Sequence, residues 1–263
     1  METKIATKLK NISLVDNEMS KTKFLKDGPK MTRYTLADVA DDLDHRMDYH
    51  IQAVRKEDRE RVLNFLRKFF FRDEPLNYTI KLIPEGENST CYELEDYSLS
   101  AMNEDLSLMA VSSNGSIIGV ILNGSMGPPS NEEPDYITNC KNPKFKKILK
   151  FLHYVDVKSN IHGKFPNQKV FEIRIVSVDS NWRGKGIAKA LLEKSMEISK
   201  IRDYDLLRVD CSSAITGKLC QRLGFEPVYE LKYADYVDEV GNPIFTPLHP
   251  HVSEVTYVKK IEK

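Results

Sequence analysis

The chain has 263 residues, 41% of them hydrophobic, enough for one large or two small domains with a buried core. Lysine plus arginine equals aspartate plus glutamate at 39 each, so no net field draws nucleic acid or an anionic membrane, and any basic site has to be local. Cys91, Cys140, Cys211 and Cys220 are scattered, with no C-x-x-C pair and no zinc-ligand spacing, which argues against a zinc protein and fits free thiols in a reducing compartment.

Residues 1 to 48 are lysine-rich and then acidic, with little sustained apolar period, and are expected to form a flexible extension outside the core. They contain no apolar stretch of signal-peptide length, and no apolar run anywhere is long enough to span a membrane, so the expected address is the cytoplasm. From Tyr49 the pattern changes. YHIQAV predicts a short strand, and RKEDRERVLNFLRKFFF carries Val62, Leu63, Leu66, Phe69 and Phe70 at helical spacing. LSLMAVSS and SIIGVILNG are apolar runs separated by Asn114-Gly115, a strong hairpin signal because both residues tolerate positive φ. After a proline-rich loop, MGPPSNEEPD, the segment FKKILKFLHYV (145 to 155) has a helical period with its charges to one side. VFEIRIVSV (170 to 178) predicts a long strand, GKGIAKALLEKSMEISKI a helix and DLLRVDC a strand. SAITGKLCQRLG predicts a helix with a glycine stop at Gly224, and FEPVYELKYADY and VSEVTYVKK the last strands. The alternation predicts one α/β (α+β) domain over residues 49 to 263, a mixed sheet with helices on both faces.

Arg183-Gly184-Lys185-Gly186-Ile187-Ala188 falls at a strand-to-helix junction, where the first helical N–H groups lack intrachain partners and the helix dipole is positive. That makes it an anion site. Gly184 and Gly186 remove the Cβ atoms that would hold a phosphate away from the backbone, and Arg183 adds a charged donor, so a pyrophosphate fits. A solvated helix start, with glycines serving only the turn, accounts for an isolated G-x-G as well. No Walker A run, G-x-x-x-x-G-K-[ST], occurs. A dinucleotide fingerprint needs Gly or Ala where Lys189 stands; Asp205 or Asp210 lies near the place of its ribose acid, but the turn comes too late in the chain for two mononucleotide halves.

The remaining pattern is R-x-x-G-x-[GA], with Arg183, Gly186 and Ala188 in its fixed positions, followed at 221 to 225 by QRLGF. Residues 170 to 230 resemble the acetyl-CoA site of the GNAT superfamily of N-acetyltransferases. FFFRDEPLN (69 to 77), NPKFKKIL (142 to 149), VSVDSNWRGKGIA, CSS (211 to 213), ADY (234 to 236) and PHV (250 to 252) narrow it. Over residues 49 to about 260 the chain resembles the insect arylalkylamine N-acetyltransferases, the group that contains dopamine N-acetyltransferase. The resemblance implies the GNAT fold with a mostly antiparallel central sheet, acetyl-CoA as co-substrate and no metal. It implies that Val176, Ser177 and Val178 line the pantetheine arm, while Arg183, Gly184, Lys185, Gly186, Ile187 and Ala188 cradle the pyrophosphate. It also implies a small arylalkylamine acceptor (dopamine, serotonin, tyramine, octopamine or tryptamine), a monomer, and binding of acetyl-CoA before the amine.

An alkylamine with a pKa near that of lysine, about 10.4, is almost wholly protonated at pH 7, so a base or water chain has to take its proton. Glu74, in Arg72-Asp73-Glu74-Pro75, follows an aromatic helix end and is stiffened by Pro75. By its residue type alone it reads first as an ordinary loop carboxylate paired with Arg72; the resemblance reverses that and makes it the general base, acting through water, with Asp73 the lesser choice. Attack on the thioester creates an oxyanion, best met by preorganised amides near Val176 to Val178. The leaving thiolate, with an intrinsic pKa of about 8.5, needs no strong acid. Many acetyltransferases place a tyrosine where this chain has Cys220, whereas the arylalkylamine group implies hydroxyls at Ser212 and Thr216. Ser212 and Ser213 are also candidate N-caps of the helix AITGKLCQRL.

Cys211 and Cys220 read as small buried hydrophobes, His249 and His251 as loop residues rather than a metal pair, and KNPKFKKILK as a solvated helix face rather than a nucleic-acid patch. Phe69 to Phe71 either wall an amine pocket or pack the core. Three other functions stay open. Acidic pocket residues would speak for a polyamine or agmatine N-acetyltransferase, loss of the amine side for a non-catalytic acyl-CoA-binding module, and an open groove for a protein N-acetyltransferase.

Overall fold

Gly115 sits at φ +83°, a conformation open to glycine, and turns β2 (Leu108–Ser112) back into β3 (Ile117–Ser125) as the Asn-Gly signal predicts. The computed structural model describes residues 48 to 262 apart from 87, 88, 128, 129 and 131. The extension expected over residues 1 to 48 therefore lies, Asp48 aside, outside the described residues. To β2 and β3 the chain adds β1 (Tyr49–Ala53), β4 (Val170–Val178), β5 (Leu206–Cys211), β6 (Glu226–Lys232) and β7 (Ser253–Lys260). The seven strands form one sheet in the order β1-β2-β3-β4-β5-β7-β6. Only β4 and β5 run parallel, so the sheet is mixed and mostly antiparallel, as expected.

Strand periodicity sends neighbouring residues to opposite faces: Leu108 and Met109, or Ile121 and Leu122, enter different cores. One core joins the sheet to α1 (Arg59–Phe69) and α5 (Pro143–Ser159) through Val62, Leu66, Phe145 and Phe151. The other takes α7 (Ile187–Ile201) and α8 (Ala214–Arg222) through Ile187, Leu191, Leu192 and Cys220. Each fully buried Leu, Ile or Phe contributes about 1.5–3 kcal/mol, so both faces carry stability.

Four short helices were not anticipated: α2 (Pro75–Thr79), α3 (Tyr92–Ser100), α4 (Asp135–Thr138) and α6 (Ile161–Lys164). In α3 the inward face includes a charge, Glu95, which takes Arg67 Nε at 2.7 Å and Nη2 at 2.8 Å and the Thr90 hydroxyl. Burial alone would raise its carboxyl; the Arg67 and Thr90 hydrogen bonds outweigh burial and hold it below its ordinary value. A helix whose buried side is partly ionic gives no apolar period to detect.

The feature that positions the site is a parting of strands. β4 and β5 pair only from Val170/Leu206 to Ile173/Val209. At that point β4 carries an extra residue, Arg174, because Leu122 and Asn123 of β3 face Ile175 and Ile173. Such a bulge bends and twists its strand, here away from β5.

Candidate active site

Beyond Val178 the Asp179 carboxylate accepts from the Asn181 amide at 2.9 Å and opens a short turn, Ser180–Trp182. Gly184 and Gly186 then adopt φ +79° and +84°, which ends any helix there; α7 accordingly starts at Ile187, three residues later than the sequence pattern suggested. A Cβ on either glycine would meet nothing within 4 Å, so glycine is required by conformation, and the space in front of the turn stays open. The fifteen-residue α7 has no side-chain cap at its start, leaving its first amides and its dipole to an anion. Lys185 folds over the Trp182 ring, 4.4 Å from its centre.

The Asp179 amide donates to Ile118 O at 2.9 Å, and this sets the phase of the β3–β4 ladder. By the two-residue period Ser177 also turns its main chain to β3, whereas Val176 and Val178 turn theirs into the opening beside β5. Arg183 Nε donates to Val178 O at 3.2 Å, consistent with that direction. The Ser177 side chain goes the other way, its hydroxyl donating to Phe69 O at the end of α1 at 3.3 Å. Arg183 Nη2 reaches Asp73 Oδ2 at 2.7 Å, in a pair with side chains 51% and 52% exposed.

Glu74 lies next to that pair. Its amide donates to Phe70 O at 3.0 Å, its φ and ψ of −67° and 129° are extended, and its Oε2 caps α2 by accepting the Asn77 amide at 2.7 Å. Pro75 at the first helical position fixes the direction. Burial pushes the carboxyl above its ordinary value, against the Asn77 amide, the Ser212 hydroxyl and the Leu76 amide, which favour the carboxylate. Arg72 points elsewhere, to Pro84 O at 3.3 Å and Gly86 O at 2.7 Å, so the ordinary-ion-pair reading of Glu74 does not hold.

Ser212 and Ser213 divide their tasks. Ser213 caps α8, accepting Ile215 N at 3.3 Å, while the Ser212 hydroxyl is close enough to Glu74 to favour its carboxylate, short of a well-formed hydrogen bond. Thr216 stands half-buried in the first turn of α8. Two residues that sequence reasoning missed hold this turn: Tyr233 donates its hydroxyl to Ser212 O at 2.8 Å, and His251 Nδ1 accepts from Ala214 N at 3.1 Å. Burial, and then the charge of His249, lower the His251 pKa and keep that acceptor neutral. His251 falls within the short PHV match, whereas Tyr233 lies just before the ADY match and outside it.

Behind the opening Arg208, with a side chain 2% exposed, binds Asp156 at 2.6 Å and Asp210 at 2.7 Å, with Glu172 at 3.7 Å. Asp210 thus serves an ion cluster and not a ribose, and Asp205 accepts from Lys169 N at 2.9 Å. Glu254 lies beside them with neither oxygen in a well-formed hydrogen bond, pushed up to about 9 by burial and then by the Asp210 charge. Of the three phenylalanines, Phe71 is core at 1% exposure, and Phe69 and Phe70 are partly buried against it. The Cys211 and Cys220 thiols are free, buried and 3.8 Å apart. Among the described residues no group of three or more His, Cys, Asp or Glu side chains could hold a metal ion, and no helix is long and apolar enough to cross a membrane.

A strand that parts from its neighbour, followed by a glycine turn and an uncapped helix, makes a site suited to an extended ligand that ends in an anionic group. The pattern of the acetyltransferase (GNAT) family matches residues 60–225, and the chain belongs to that family, whose members use acetyl-CoA as acetyl donor. Among solved structures, arylalkylamine N-acetyltransferase 2 from Aedes aegypti is 36% identical with a TM-score of 0.77, covering 82% of this chain and 100% of its own. An agmatine N-acetyltransferase shares the fold at 24% identity and TM-score 0.70, over 81% of this chain and 100% of its own. N-acetylaspartate synthetase of Xenopus tropicalis is 44% identical over 61 residues, 22% of this chain and 22% of that protein, so the match spans under a quarter of that relative's length.

Proposed function

We propose that residues 49 to 263 form a single catalytic domain that moves the acetyl group of acetyl-CoA to the primary amine of a small arylalkylamine such as dopamine, serotonin, tyramine, octopamine or tryptamine. The observation that carries this reading is the half-buried Glu74 carboxyl, raised by desolvation, with the Ser212 hydroxyl close enough to favour its carboxylate at the β4–β5 opening. The 36% identity to an arylalkylamine N-acetyltransferase supports the substrate class.

In this reading Arg183 and the amides of Gly184 to Ala188 bind the pyrophosphate, for which the open turn and the helix start are suited. The main-chain groups of Val176 and Val178 hold the extended arm and meet the oxyanion. Glu74 takes the ammonium proton through water; its raised pKa brings the carboxylate nearer to the basicity that task needs. Ser212, with Thr216 one turn on, hydrogen-bonds the departing thiolate, whose intrinsic pKa of about 8.5 makes a strong acid unnecessary. The protein acts as a cytoplasmic monomer.

A second reading has its own observation. Asp156, Glu172 and Asp210 share Arg208, with Arg174 also pairing Glu172 at 2.9 Å, so three carboxylates meet two guanidiniums, and a cationic acceptor such as agmatine or a polyamine would suit that surplus. Steady-state release of CoA thiol with dopamine, serotonin, tyramine, tryptamine, agmatine and spermidine separates the two. Turnover with the aromatic amines is expected. Turnover confined to agmatine and spermidine would replace the arylalkylamine assignment, and acetyl-CoA binding with no turnover on any amine would replace the enzyme by a binding module.

A further inference from the structure

Ser212 occupies a joint. Cys211 before it is fixed by its pairing with Val255 of β7, and Ser213 after it is fixed as the cap of α8, so neither ladder nor helix sets the conformation of Ser212 itself. A peptide group at such a joint turns unless something holds it, and the side-chain direction turns with it. The one hydrogen bond described at its carbonyl comes from Tyr233, at 2.8 Å.

Tyr233 is well placed to hold that carbonyl. It is 3% exposed, its amide donates to Val252 O at 3.1 Å, and its ring packs on Phe151 of α5 with centres 5.9 Å apart. Phe151 in turn meets Tyr236 and Phe245, at 5.0 and 5.1 Å, so the hydroxyl is anchored by α5 and by the 236 to 252 segment, independently of the turn that it holds. Burial, and then the charge of Glu74, raise the phenol's pKa, so it stays a donor throughout the working pH range.

We propose that Tyr233 is a positioning residue for acetyl transfer: its hydroxyl fixes the Ser212 carbonyl and so aims the Ser212 side chain at Glu74. The inference rests on Glu74 and Ser212 acting as assigned above. In this role Tyr233 acts through the Ser212 carbonyl and not on the substrate.

The test is the pH profile of kcat/KM for the amine in Tyr233→Phe, which keeps the ring and removes the hydroxyl. Because Ser212 is one of the groups that favour the Glu74 carboxylate, releasing it moves the acid limb to higher pH; a role in core packing alone leaves the limb in place. Expected with it are a fall in kcat of about fivefold to tenfold, the size of one lost hydrogen bond, and a KM for acetyl-CoA within about twofold of wild type. Ser212→Ala should move the limb as far, and the double variant no further, since both changes remove one interaction. p-Aminophenylalanine at position 233 retains a donor at the same place and restores the limb; it also serves if Tyr233→Phe fails to fold. A wild-type limb in Tyr233→Phe, additive shifts in the double variant, or no restoration by p-aminophenylalanine each overturn the proposal. Glu74→Gln run in parallel separates the two assignments: if it keeps the limb, the base assignment falls, whereas if it abolishes the limb and Tyr233→Phe does not move it, only the role of Tyr233 falls.

Discussion

The glycine turn and the Glu74–Ser212 cluster flank the same opening in the sheet and are built in opposite ways. The turn, from Asp179 to Ala188, is largely exposed, acts through its main chain, and is contiguous in sequence. The cluster is assembled from the end of α1, the joint after β5 and the residue after β6, acts through side chains, and depends on burial for its chemistry. Anion binding by amides needs a backbone shape, which a few adjacent residues specify. Tuning a carboxyl needs a desolvated place, which only the whole fold supplies.

If the two regions are separable, they respond differently to substitution. The largest effect is expected from Glu74→Gln, which should lower kcat by about 10²–10⁴ near neutral pH while calorimetric binding of acetyl-CoA stays unchanged. In the wild type, activity should rise with pH through a pKa above the ordinary value of 4.5, as the carboxylate forms. Loss of acetyl-CoA binding along with kcat would show one site and not two.

Glu254→Gln probes burial itself and should raise stability by about 1–3 kcal/mol at pH 8, read from urea unfolding. With a folded pKa of about 9 against 4.5, the native chain keeps a proton across that window which the unfolded chain has released. Wild-type stability should therefore fall as pH rises from about 4.5 toward 9, by at most about 1.4 kcal/mol per unit, and the variant should lose that slope. An unchanged slope would mean that Glu254 is charged in the native state.

Arg183→Ala addresses the exposed side. It should weaken acetyl-CoA binding about tenfold, less at high salt, and leave kcat at saturation nearly unaltered. The smallest effect belongs to Asp73→Asn: the exposed pair with Arg183 is worth under about 1 kcal/mol, so freeing the guanidinium should tighten acetyl-CoA by less than about fivefold. Weaker binding in that variant would instead make Asp73 part of the cradle.

The same division governs what could be read from the sequence. β4 was found residue for residue, because VFEIRIVSV is rich in β-branched residues and sets Phe171, Ile173 and Ile175 in alternation with Glu172 and Arg174, and the glycine turn was found because its conformational demand leaves glycines behind. Glu74 and Ser212 came from a resemblance; nothing local distinguishes a buried carboxyl from a solvated one. The bulge at Arg174 was invisible, since an extra residue in one strand shows only against its partner's register. α3 was missed because Tyr92, Leu94, Tyr97 and Leu99 mix strand and helix spacing and Glu95 takes an inward position. Tyr233 fell inside an expected strand, whereas the chain leaves β6 one residue earlier and makes a short 3-10 turn, which sends its hydroxyl to Ser212.

The parting of β4 from β5 leaves the sheet with an internal edge. An open edge is ordinarily a place where another strand adds itself, and this one lies mid-sheet, between β4 and β5. In the proposed function, an extended ligand arm bearing amides completes the ladder there as a surrogate strand. Recognition of that kind belongs to the peptide groups of β4, so the side chains at positions 176 and 178 are free to change without altering what the edge accepts.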